Sequence, residues 1–171
     1  MCYFLFAASP LTLSEVRSML PPGFSADLVG PADQAALRTL YPAARTGVLL
    51  LLGACSCDLV VARSDAREAE RHLRTRHLDA GRSRVEVIAA LENHRRRGAG
   101  FASVDAARVA LAGFVAEHAR NAGPTLYLLC FGSAPLDRRT LARPPAQLPQ
   151  RGVLANVGGW LVEDRPTLVV P

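Results

Sequence analysis

Two thiols stand two residues apart in GACSCDLV (53–60): Cys55 and Cys57, directly after the most apolar run in the chain, GVLLLLGA. A thiolate is a soft ligand, suited to zinc, copper(I) or an iron–sulfur cluster. In a regular strand, side chains two apart share a face, and a bend at Ser56 would also let both sulfurs converge on one ion. Two ligands do not close a tetrahedral site, which needs four groups. Cys2 and Cys130 are the other cysteines, so Cys2, Cys55, Cys57 and Cys130 form the candidate metal set. Zinc in a structural role is the simplest occupant.

Two enzymatic readings compete. Cys55 and Cys57 could form a redox pair. Cys2 could become the first residue, because a small second residue permits removal of Met1; its α-amino group would then titrate near neutrality and serve as base for its own thiol. That is the device of N-terminal-nucleophile amidohydrolases, but CYFLFAAS lacks the Cys-Gly-Ile start of class II amidotransferases. A third reading makes the cysteines inert. Buried cysteine behaves as a small hydrophobe, and Cys130 inside LYLLCFG fits that description first. Asp58 reads as a strand-edge carboxylate facing water.

Four histidines could contribute: His72, His77, His94 and His118. His72 and His77 are five apart and do not share a helical face cleanly. His94 and His118 follow Leu91 and Phe114 at helical spacing, which places them at the margin of an apolar face. Either could complete a metal site. No paired zinc-finger pattern and no H-E-x-x-H pattern is present.

Residues 63–97 hold ten arginines and six acids. The interspersed acids, as in Arg67, Glu70 and Arg71, suit ion pairing along a solvated helix. Stacking aromatics are missing there, which argues against a nucleic-acid surface. A protein partner for this basic face stays open. Gly98 and Gly100 precede a helix but follow another helix, so the dinucleotide fingerprint fails its context.

The chain has 171 residues, half of them hydrophobic and 20% charged, with a net charge of +5. That composition fits one globular domain over 1–171 with a sizeable core. The absence of lysine and the abundance of alanine suggest a GC-rich bacterial genome. The opening MCYFLFAASP lacks the basic n-region of a secretory signal, and Val48–Leu52 is too short to cross a bilayer. The expectation is a soluble cytoplasmic protein with reduced thiols and no membrane association.

The elements must place the cysteines. CYFLFAA (2–8), FSADLV (24–29), TGVLLLLGA (46–54) and TLYLLCFG (125–132) read as strands, and DLVVA (58–62) as a continuation or a neighbour. Helices are expected over 11–20, with Thr12 or Ser14 as cap, and from Pro31 to Pro42. Others are expected over 65–81 with Gly81 as C-cap, over 83–98 with a Ser83–Glu86 capping box, and over 103–123. Residues 134–151 read as a long surface loop, and the segment after it as short strands. The whole predicts an α/β or α+β layered domain with a mixed sheet flanked by helices. Strand direction then decides the site. Cys2 begins its strand and Cys55 follows the end of its own, so they meet only if the strands run antiparallel. Cys130 approaches Cys55 only if those two strands run parallel.

The opening MCYFLFAASPLTL and the later GACSC together resemble an uncharacterised bacterial protein group that begins Met-Cys, a short aromatic strand and Ala-Ser, with a Gly-Cys-x-Cys element downstream. The matching residues are Cys2, Ala8, Ser9, Gly53, Cys55 and Cys57, within the first third of the chain. Ala54, between Gly53 and Cys55, departs from that element. The resemblance brings no activity, and it implies that Cys2, Cys55 and Cys57 belong to one motif.

Overall fold

The computed structural model describes residues 2–53, 56, 59, 74–75, 77–78, 81–98, 104–132, 136 and 142–171. Six strands form one mixed sheet: β1 (Cys2–Ser9), β2 (Phe24–Leu28), β3 (Thr46–Leu52), β4 (Thr125–Gly132), β5 (Ala146–Pro149) and β6 (Thr167–Val170). Their spatial order is β2-β3-β1-β4-β6-β5. Every neighbouring pair is antiparallel except β5 and β6. The helices among the described residues are α1 (Leu13–Met19), α2 (Pro31–Leu40), α3 (Arg84–Gly98), α4 (Val104–Ala122) and α5 (Gln150–Ala155).

Local chemistry explains several boundaries. Thr12 caps α1 in a reciprocal box: its hydroxyl accepts from Glu15 N–H, and the Glu15 carboxylate accepts from Thr12 N–H. Ser83 and Glu86 repeat the device ahead of α3. Gly81 has φ +70°, its N–H donates to Leu78 C=O, and Arg82 N–H donates to His77 C=O. That pair of bonds is the Schellman ending of a helix, and it needs the left-handed conformation that glycine adopts without a Cβ clash.

The sheet is covered on both faces. Leu5, Ala7, Val48, Leu50, Tyr127 and Leu129 point to one side and pack with Val16, Val153, Trp160 and the inner face of α4. Phe6, Ala8, Leu126 and Leu128 point to the other and pack with Leu37 of α2 and Ala44. Double coverage explains why TGVLLLL and TLYLLCFG are nearly continuous apolar runs despite antiparallel pairing. Ala107, Leu111, Phe114 and His118 are all buried on α4, the face that helical spacing anticipates. At the β2 edge, Arg17 donates Nε–H to Ala26 C=O at 2.8 Å and pairs with Asp27 at 3.0 Å. An edge carbonyl capped by a cation is a poor template for another chain.

Two expectations change. Residues 134–151 are not loop throughout, because Ala146–Pro149 pairs in parallel with β6 and Gln150 opens a helix. Helix α5 (Gln150–Ala155) runs on into the segment expected as short strands and buries Val153 fully, whereas Thr167–Val170 is a strand as expected. The continuation expected over 58–62 and the helix expected over 65–81 lie outside the described residues, apart from Leu59, 74–75, 77–78 and Gly81. Among the described residues no helix is long and apolar enough to cross a membrane.

Candidate functional site

Antiparallel pairing brings the start of β1 beside the end of β3. The last β1–β3 pair is Leu5 with Leu50. Beyond it β3 follows β2, with Leu51 opposite Ser25 and Leu52 opposite Phe24. Gly53 then turns the chain with φ +72°. Ser56 occupies the place β3 has left. Its N–H donates to Tyr3 C=O at 3.0 Å. Its hydroxyl accepts from Leu5 N–H at 3.2 Å and donates to Leu50 C=O at 2.8 Å. Both roles are fixed, since an amide N–H only donates and a carbonyl only accepts. Ser56 is completely buried, so these bonds satisfy backbone groups that water does not reach.

Three residues on, Leu59 donates its N–H to Ser56 C=O at 3.1 Å. Leu59 C=O in turn accepts Nε–H of Arg108, on α4, at 2.8 Å. Ser56 and Leu59 are thus tied to β1, β3 and α4. Cys55 and Cys57 flank Ser56 in sequence and lie outside the described residues, as does Asp58.

Cys2 stands opposite Gly132, and Cys130 stands opposite Phe4. Cys130 is therefore on the diagonal from Cys2, a relationship that separates Cα atoms by about 7–8 Å. β3 and β4 both run against β1 and hence parallel to each other, with β1 between them. Cys130 is half-buried and packs with the cluster around Phe6 and Leu128. Tyr3 borders this end of the sheet: its hydroxyl donates to Glu163 Oε2 at 3.0 Å, and its ring lies 4.9 Å from that of Phe131. Among the described residues, no three histidine, cysteine or acidic side chains gather as a metal-binding group.

The histidines separate from this end. His118 Nε2 is 2.8 Å from Ser9 Oγ, and its Nδ1 is 2.7 Å from Tyr127 Oη. Ser9 closes the opposite end of β1 from Cys2, about 23 Å away at strand rise. Both ring nitrogens are engaged, so the expectation that His118 could complete a metal site is corrected. His77 is described and half-buried. His72 lies outside the described residues, and so does the side chain of His94.

A serine and a histidine at 2.8 Å have the spacing of an activated nucleophile. Here Ser9, His118 and Tyr127 are all completely buried, so no substrate reaches them. Burial pushes the His118 imidazole down to about 4 and the Tyr127 phenol well above its usual range. The neutral ring bridges two hydroxyls and ties β1 to α4 and β4. A cavity of about 90 Å³ lies near Leu59, lined by Arg108, Leu111, Leu129, Val157, Gly158 and Leu161. Among the described residues of its lining, Arg108 is the one charged group, and none is a nucleophile or a general base.

The sequence singles out the cysteines and passes over Ser56 and Arg108. The one local sign for Ser56 is a small hydroxyl residue in a bend after an apolar strand; Arg108 gives none. Comparison with models of protein families, with curated proteins and with solved structures finds no match to this chain.

Proposed function

We propose that this chain binds a soft metal ion or a metal cluster through the thiolates of Cys2, Cys55 and Cys57, with Cys130 the candidate for the fourth position. One observation carries the reading: Ser56, the residue between Cys55 and Cys57, donates its N–H to the carbonyl of Tyr3, the residue after Cys2. The antiparallel course of β1 and β3 supports it, since that direction is what a shared site requires. Cys130 follows from its diagonal place relative to Cys2. Thiolate donors favour zinc, copper(I) or an iron–sulfur cluster over hard cations. A cytoplasmic setting, where thiols stay reduced, suits the same chemistry.

The test is elemental analysis with an absorption spectrum on anaerobically purified protein, beside the Cys55→Ser/Cys57→Ser double variant. Stoichiometric metal in the wild type that is lost in the variant is the expected result. Visible absorption would identify an iron–sulfur cluster; a colourless protein would hold zinc or copper(I). Wild-type protein without metal, together with a free-thiol count that changes reversibly on oxidation, would replace this reading with a Cys55/Cys57 redox pair. A mature chain lacking Met1, without metal, would turn attention to Cys2 as a nucleophile.

A further inference from the structure

The cavity beside Leu59 joins an apolar floor to a charged wall. Leu59, Leu111 and Leu129 form the floor, and each is 5% exposed or less. Val157 and Leu161, half-buried, and the exposed Gly158 form the rim, so the space opens there. A floor of leucine side chains offers water few of the polar partners it needs to settle.

Arg108 supplies the charged wall. Its Nε–H bond to Leu59 C=O, at 2.8 Å, sets the plane of the guanidinium. Nη1 lies next to Gly158: a Cβ added to that glycine would stand 3.8 Å away. Nη1 is also 3.7 Å from Asp105 Oδ1, but the Asp105 side chain is 89% exposed, and water screens such a pair. The Arg108 side chain is 20% exposed, so a carboxylate in the cavity would meet it largely away from water. Charge-assisted bonds to a planar guanidinium held in place are strong and directional.

We propose that this cavity binds a short aliphatic monocarboxylate, with its tail against Leu111 and Leu129 and its carboxylate on the Arg108 guanidinium. Size sets the length of the tail. A dry cavity of about 150 Å³ holds one benzene. The space of about 90 Å³ here takes, in proportion, a ligand of about four carbons. The site uses none of the cysteines and is independent of the thiolate reading above.

The experiment is isothermal titration calorimetry of the full chain at pH 7 with butyrate, which is ionised there, and with butyramide, its neutral isostere. The proteins are wild type, Arg108→Met and Gly158→Leu, and urea unfolding checks that each is folded. Methionine keeps an apolar stem and removes the charge. Gly158 lacks the left-handed φ of Gly23, Gly53, Gly81 and Gly123, so its backbone accepts a leucine, which would cover the mouth. Wild type is expected to bind one butyrate per chain, about 10-fold or more tightly than butyramide. Arg108→Met should lose that preference, and Gly158→Leu should bind neither compound. If Arg108→Met does not fold, the wild-type preference and Gly158→Leu decide. Folded wild type that shows no saturable butyrate binding would overturn the proposal. Equal affinity for butyrate and butyramide would overturn it too. Wild-type butyrate affinity in folded Arg108→Met or Gly158→Leu would place the anion elsewhere and overturn it as well.

Discussion

His118 and Tyr127 meet side chain to side chain inside the core, Nδ1 to Oη at 2.7 Å, where both residues are completely buried. An imidazole in that setting is held neutral. Its folded value of about 4 lies below the ordinary 6.5. Between those values the unfolded chain takes up a proton that the folded one refuses. Stability from this group is complete above about pH 6.5 and falls as pH drops toward 4, by about 3 kcal/mol in all. Urea unfolding from pH 7 to pH 4 measures this. The His118→Gln variant should show a shallower dependence across that window, by about one proton.

Tyr127→Phe removes the hydroxyl facing His118 Nδ1 and leaves the ring otherwise in place. Tyr127 also packs edge-on against Trp160, with centroids 5.6 Å apart, and phenylalanine keeps that contact. The loss is therefore chiefly the orphaned ring nitrogen, about 1–3 kcal/mol. Equilibrium unfolding at pH 7 reads it directly. A change within about 0.3 kcal/mol of wild type would show that the Nδ1 contact adds nothing to stability.

Gly47→Ala should destabilise through crowding. A Cβ on Gly47 would fall 2.9 Å from both Leu37 Cδ1 and Val29 Cγ2, and it would press on Gln34 Oε1, which accepts the Gly47 N–H. Leu37 is buried and cannot swing aside. The expected cost is about 1–3 kcal/mol. Gly113→Ala is the control: nothing lies within 4 Å of its added Cβ, and alanine favours the helix. The two variants should shift the urea midpoint in opposite directions.

What the sequence discloses here is mostly what is decided within one turn. The cap at Thr12, offered beside Ser14, the box at Ser83 and the ending at Gly81 involve residues five or fewer apart, and each is visible as a pattern. The α4 face is visible because nineteen residues show their period. α5 has six residues, too few for a period to emerge, and its Val and Leu content imitates a strand. It is helical because Val153 enters the core and Gly152 fits tightly against Leu148. Strand direction is a tertiary choice, so the sequence sets only a condition for Cys2 and Cys55 to meet. The bend at Ser56 is legible but its bonds are not, for the same reason, since its partners lie on β1 and β3. His118 looked like a spare ligand because Ser9 is 109 residues away in the chain.

The sheet order has a consequence for how the chain is assembled during synthesis. β1 is translated first but lies inside the sheet, between β3 and β4. One of its sides can pair once Leu52 has emerged, whereas the other waits for Thr125 and the residues after it. Pairings this distant in sequence form slowly, because a long loop must close before any contact rewards it. Until β4 arrives, the half-built β2-β3-β1 sheet presents the apolar run YFLFAA along an open edge, a hazard that the finished fold removes entirely.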